Sequence, residues 1–255
     1  MKKEMELFEA EFAKIMSSQT LPMDDVLHYV ANAKGKRLRP TLVFLTAKLF
    51  GEVNDTTRRT ALFVELLHTA TLIHDDVVDG SDTRRGQPSV NARWNNMTAV
   101  LVGDYLLSKA MLQLTNPEDS PILNEMLNTT MAMSEGELMQ CRRQETEDRR
   151  QNYLNIIERK TARLMKACCV GGALSVNGNH INKVADFGLN LGLVFQMRDD
   201  ILDDDNPEAT AMAKQLLPTY RNKTLKALDV LKQISKDASA WEELRALTLA
   251  ITPCC

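Results

Sequence analysis

Leu66–Arg85 reads LLHTATLIHDDVVDGSDTRR. The first half has the apolar spacing of a buried helix, and the second half carries Asp75, Asp76 and Asp79, followed by Arg84 and Arg85. Residues four apart are stacked on one helical face, so Asp75 and Asp79 stand one above the other, with Asp76 at their flank. Carboxylates gathered at the end of an apolar helix repel one another and lose hydration unless a cation joins them. A hard divalent ion suits them: Mg²⁺ takes oxygen ligands, keeps waters, and binds through one or two carboxylates together with phosphates. The two arginines offer planar forks that match phosphate oxygens. A lone cluster of this kind reads equally well as a solvated helix end.

A second copy breaks that balance. Phe195–Asp203, FQMRDDILD, again follows an apolar run and places Asp199, Asp200 and Asp203 at the same spacing. Two acidic helix ends of one pattern suggest two walls facing each other across a cavity, each able to hold metal on a shared polyphosphate.

Composition narrows the class. The chain has 255 residues, 44% hydrophobic and 25% charged, with a formal net charge of -3. That is ordinary for a soluble globular protein, and the dispersed basic residues give nothing that favours nucleic acid. No run is long enough to span a bilayer, and MKKEMELFEAEF at the start is charged and amphipathic, unlike a signal peptide. Cys141, Cys168, Cys169, Cys254 and Cys255 fit neither a zinc site nor a disulfide framework, so a reducing cytoplasm is the expected location. Cys254-Cys255 has the look of a lipidation tail, but nothing upstream supports one.

Apolar residues recur at three and four almost throughout, which predicts an all-α single domain over 1–255. The spacing predicts helices over Glu4–Met16, Asp24–Ala33, Thr41–Phe50, Thr57–Asp79, Ala99–Leu114, Pro121–Gln140, Tyr153–Ala173, Val184–Leu202 and Glu208–Lys236. Pro22 is expected at a turn, and Ser81–Ala92 as a polar loop. Gly35–Pro40, GKRLRP, clusters Lys36, Arg37 and Arg39 on a short connection, with Pro40 opening the next helix. The methionines of the sixth helix read as core packing. Cys141–Arg150 reads as charged surface. His68, about two turns before Asp75, divides evenly between a core histidine and a ligand-binding one. Lys160-Thr161 supplies a cation and a hydroxyl suited to a diphosphate, and Gln196 sits one turn before Asp200.

Together GKRLRP, ELLHTATLIHDDVVDGSDTRRG, GDYLL, ERKTA and FQMRDDILD, in that order, resemble the trans-isoprenyl diphosphate synthases, the polyprenyl synthetases. The resemblance implies an isoprenoid-synthase helical bundle around a deep central cavity, usually a homodimer. It implies Mg²⁺-dependent, head-to-tail condensation of isopentenyl diphosphate with an allylic prenyl diphosphate. Carried over, Asp75, Asp76, Asp79, Asp199, Asp200 and Asp203 would hold the metal. Arg84, Lys160 and Thr161 would hold the allylic diphosphate; Lys36, Arg39, His68 and Arg85 would hold isopentenyl diphosphate. Gln196 would steady the cationic intermediate. A cyclase on the same fold would not need the second diphosphate site.

Cavity depth below Asp75 sets product length in this reading. Ala70 and Thr71 are small, and Leu67 and Phe63 lie deeper as the candidate floor, so a product longer than farnesyl diphosphate is expected. The sequence departs from the family after about residue 205. Asp205-Asn206-Pro207 runs straight into one of the last helices, where a lysine-bearing stretch and two further helices are expected. A non-catalytic subunit of a heteromeric synthase is the alternative that this shortening favours.

Overall fold

Helix α4, Asp55–Val78, is the longest apolar element to end in carboxylates, and the rest of the core is laid around it. It starts at a reciprocal cap: Asn54 accepts from the backbone N–H of Thr57, whose hydroxyl accepts from Asn54. The computed structural model describes residues 1–33, 35–142 and 148–252. The middle of the charged stretch 141–150 and the terminal Cys254-Cys255 lie outside the described residues.

The element order is α1 Lys2–Ile15, α2 Leu21–Asn32, α3 Leu38–Lys48, α4, a hairpin of Thr83–Arg84 with Gln87–Pro88, α5 Val90–Arg93, and α6 Asn96–Met111. Then come α7 Ser120–Arg142, α8 Arg149–Ile157, a π-helical turn Glu158–Ala162, α9 Arg163–Leu174, α10 Ile181–Asp203, α11 Pro207–Ile234 and α12 Ala238–Ile251. The bundle is all-α, as the periodicity predicts. Helix α3 is buried on nearly every side from Leu42 to Ala47 and packs between α4, α9 and α12. Phe8 and Phe12 of α1 stack on each other, and Phe8 meets Phe44 edge-on. A second apolar cluster, around Tyr153, Ile157, Val194, Met197, Ala213 and Leu216, seals α8, α10 and α11 together.

Four expectations change. Pro22 stands in the first turn of α2, where its missing N–H is harmless, and so starts a helix instead of breaking one. Helix α3 begins at Leu38, which makes Arg39 and Pro40 helical residues. Ser81–Ala92 contains a hairpin whose two turn residues, Arg85 and Gly86, both have positive φ, 51° and 76°. That backbone matches strand twist, but two-residue strands leave no alternation to read. The methionines of α7 divide: Met126 is fully buried, while Met131 is 59% exposed.

The link after the second acidic cluster is short. Asp204 adopts a left-handed conformation, and the Asn206 side chain accepts from the N–H groups of Glu208 and Ala209 to start α11. Thr210 then donates to the carbonyl of Asp200, so α11 folds directly back on α10.

Candidate functional site

Asp75 is half-buried near the end of α4, and its carboxyl is pushed up to about 6. Burial is the largest cause, followed by the charge of Glu137; Asp79 adds to it, while Lys160 and Arg84 oppose it. Asp76 turns elsewhere. It is buried, and Arg84 donates to its Oδ1 from Nε at 2.9 Å and also from Nη2. The middle carboxylate thus holds an arginine in place through Oδ1, while Asp75 and Asp79 accept no side-chain hydrogen bond among the described residues.

The second cluster repeats this division. Asp199 is pushed up to about 6, by burial first and then by Asp203 and Asp200; Arg198 and Lys36 oppose it. Asp200 is taken up inside the protein. Its Oδ2 accepts from the Tyr153 hydroxyl at 2.6 Å and its Oδ1 from Gln196 Nε2 at 2.8 Å. The two first-position carboxylates are therefore short of positive charge, and the two middle ones are committed to scaffolding.

Lys160 and Thr161 lie in the π-helical turn between α8 and α9, a local geometry that gathers at functional sites. Two glycines make room for it. A Cβ on Gly136 would sit 2.8 Å from the Lys160 nitrogen, and one on Gly192 would sit 2.5 Å from the Ala162 Cα. The turn is wedged between α7 and α10. Lys160 Nζ meets Glu137 at 2.6 Å and Gln140 at 3.2 Å, both on α7. Thr161 donates to Gln196 Oε1 at 2.7 Å. The π-turn thus sets Lys160, whose charge acts on Asp75, next to Thr161, which is bonded to Gln196 and through it to Asp200.

A third wall is basic. Arg39 is half-buried, with Nη1 2.9 Å from His68 Nε2, and its buried Nε finds no partner among the described residues. Burial, then the charges of Arg39 and Arg85, drives His68 well below the usual histidine range. The ring is neutral, so Nε2 accepts from Arg39 and Nδ1 carries the proton. Among the opposing charges, Lys36 acts on Asp199 and Asp199 on Arg39, which places this wall toward the second cluster. Arg85 donates one nitrogen to the Ala33 carbonyl.

Arg37 does not join them. It pairs with Glu9 at 2.8 Å and Glu65 at 2.6 Å and lies 4.4 Å from the Phe12 ring centroid. It fastens α1 to α4, so of the three cations in GKRLRP Arg37 is structural, and Lys36 and Arg39 remain the candidates for the site. Behind the hairpin, a cleft bounded by Tyr29, Leu72, Ile73, Asp76, Arg84 and Arg85 runs alongside the acidic face of α4. Phe63 and Leu67 are fully enclosed, Ala70 nearly so, and Thr71 is half-buried, bonded to the His68 carbonyl. Sequence reasoning missed Glu137, Gln140 and Tyr153. The first two stand three apart in EGELMQ, on one face beside Gly136, a signal visible beforehand.

Among the described residues no three His, Cys, Asp or Glu side chains converge into a ready-made ion site. The donor set nonetheless suits Mg²⁺, which binds through one or two carboxylates together with phosphate: Asp75 and Asp199 are hard oxygen donors whose charge burial and like-charged neighbours disfavour. Arg39 Nε, buried and orphaned, suits an incoming anion.

Residues 21–235 match the family model described as Polyprenyl synthetase. An all-trans-nonaprenyl-diphosphate synthase (geranyl-diphosphate specific) of Rhodobacter capsulatus is 40% identical over 191 residues, 74% of this chain and 59% of the relative. The chain thus spans well under two thirds of that relative's length. The heptaprenyl diphosphate synthase of Staphylococcus aureus superposes with a TM-score of 0.87 at 23% identity, covering 99% of this chain and 98% of that one. A polyprenyl synthase of Caulobacter crescentus CB15, complexed with calcium and isoprenyl diphosphate, gives a TM-score of 0.84 at 26% identity, covering 100% and 96%.

Proposed function

The chain belongs to the polyprenyl synthetase family, and from that premise we propose that it is a prenyltransferase joining isopentenyl diphosphate head-to-tail to an allylic diphosphate, with a product longer than farnesyl diphosphate. The observation that carries this reading is the pair Asp75 and Asp199, each raised to about 6 by burial and like charge, with Lys160 and Arg84 acting on the first and Arg198 and Lys36 on the second. Such carboxylates call for cations, and the cations beside them call for an anion.

In this reading Asp75, Asp79, Asp199 and Asp203 hold Mg²⁺. Asp76 and Asp200, nominated with them, act instead through Arg84 and Gln196. Bound with the diphosphate, Mg²⁺ supplies the charge neutralisation that turns it into a leaving group. Lys160, Arg84 and Thr161 hold the allylic diphosphate. Lys36, Arg39, His68 and Arg85 hold isopentenyl diphosphate, with Arg39 Nε free to donate. The allylic C–O bond breaks in an apolar setting that excludes water, and Gln196 faces the resulting cation. The isopentenyl double bond forms the new C–C bond, and the proton then lost goes to the released diphosphate.

A single domain over 1–255, shortened after about residue 205, acts here as a homodimer in the cytoplasm. The dimer is supported by one exposed face of α6, where Met97, Val100, Leu101 and Met111 recur at helical spacing and Leu112 follows just past its end, all exposed. Among the described residues no helix is long and apolar enough to cross a membrane.

The test is turnover of radiolabelled isopentenyl diphosphate with Mg²⁺ and a geranyl, farnesyl or geranylgeranyl primer. A ladder ending at one length is expected. No incorporation by folded protein with any primer would overturn the reading and leave the non-catalytic subunit in its place.

A further inference from the structure

Four side chains form one chain of hydrogen bonds behind the site. Tyr153 of α8 donates to Asp200, Asp200 accepts from the amide nitrogen of Gln196, and the amide oxygen of Gln196 accepts from Thr161. We propose that Tyr153 is a positioning residue that, through Asp200, sets which end of the Gln196 amide faces the reacting carbon. This rests on the prenyltransfer reading of the site.

The argument begins with what each group can do. A carboxylate only accepts, whereas a primary amide has one donating and one accepting end. With Asp200 fixed beside it, Gln196 must turn its NH₂ toward Asp200, and its carbonyl oxygen is then directed the other way, at Thr161. A flipped amide would press two acceptor oxygens together in a half-buried setting, where such a conflict is costly.

Asp200 is fixed from three elements: the Tyr153 hydroxyl of α8, Gln196 one turn earlier on α10, and Thr210 of α11 on its backbone carbonyl. The Tyr153 ring is held in the apolar cluster of α8, α10 and α11. Its hydroxyl lies 2.6 Å from a carboxylate oxygen, which can only accept, so the phenol is the donor. The tyrosine touches neither diphosphate nor metal in this scheme. Its effect is to keep the negative end of an amide dipole toward the place where an allylic cation forms, which lowers the barrier without changing substrate affinity.

The experiment compares wild type, Y153F, D200N and the double variant, reading kcat, both substrate KM values and the Mg²⁺ dependence separately. Y153F removes one oxygen and keeps the ring; D200N keeps the shape but can donate, which lets the amide take either orientation. Both are expected to lower kcat about tenfold, with substrate and Mg²⁺ requirements within about twofold of wild type. The double variant should be no worse than D200N, because the tyrosine acts through Asp200. Unchanged kcat in Y153F overturns the proposal. So do additive losses, or a D200N defect that saturating Mg²⁺ repairs. If Y153F does not fold, the kcat-only defect of D200N decides the question. An inactive wild type overturns the prenyltransfer reading itself, whereas an active wild type with indifferent variants overturns this inference alone.

Discussion

Lys160 Nζ lies 2.6 Å from a carboxylate oxygen of Glu137, with Gln140 at 3.2 Å completing its hold. In the proposed reaction that lysine belongs on a diphosphate oxygen, so the anion and Glu137 compete for it. Replacing Glu137 by Gln releases the lysine and removes one negative charge near Asp75. E137Q is expected to bind inorganic pyrophosphate several-fold tighter than wild type without Mg²⁺, and K160A several-fold weaker. Titration calorimetry in metal-free buffer measures both. Equal affinities for E137Q and wild type would mean that Glu137 exerts no hold on the lysine.

The acidic clusters were legible because their chemistry is local: six aspartates on two helices announce themselves by spacing alone. Glu137 was not, because a glutamate on an amphipathic helix resembles any solvated residue until α7 is seen beside the π-turn. Arg37 shows the reverse failure. It is adjacent to Lys36 and two residues from Arg39, yet from a left-handed backbone, φ 50°, it packs inward against Glu65 and Phe12 and pairs with Glu9. Neighbours in a basic loop share a sequence, not a direction. The all-α class followed from periodicity. The π-turn did not, since one extra residue in a helix hardly alters a hydrophobic pattern.

The raised carboxyls at Asp75 and Asp199 make a statement about pH. A carboxyl whose folded value exceeds its ordinary value favours the protonated protein, so the stability it contributes is present below about pH 4 and is lost as pH rises through about 6. The thermal midpoint of metal-free protein is therefore expected to fall between about pH 4 and 6 through these two sites. Mg²⁺ with pyrophosphate should restore it at pH 7, and D75N/D199N should flatten that part of the curve. Scanning calorimetry across the range checks this; an unaltered slope in the double variant would remove these two residues as the cause.

Gly192 and Gly136 are tested by adding one methyl group. At Gly192 the new carbon would meet the Ala162 backbone, which cannot move without displacing the π-turn. G192A is expected to cost about 1–3 kcal/mol in denaturant unfolding, as overpacking of a tight interior does. G136A, pressed against the Lys160 nitrogen, should cost less stability but lower turnover at least tenfold by shifting the lysine. A G136A enzyme of normal turnover would show that the turn is held by something other than this contact.

Product length gives the last test. Helix α4 rises about 1.5 Å per residue, so Thr71 lies about 6 Å below Asp75 and Phe63 about 18 Å below it. Between them stand the small Ala70 and the larger Leu67; Ala70, Leu67 and Phe63 are all buried in the core. Phenylalanine at Ala70 or Thr71 places a ring in the path of the growing chain and is expected to shift the product ladder to shorter lengths. Alanine at Phe63 removes the deepest obstruction on this helix and is expected to lengthen it. Reversed-phase separation of dephosphorylated products reads all three directly. If the ladder ends at the same length in every variant, the growing chain does not run along α4, and the floor must be sought on α7 or α9.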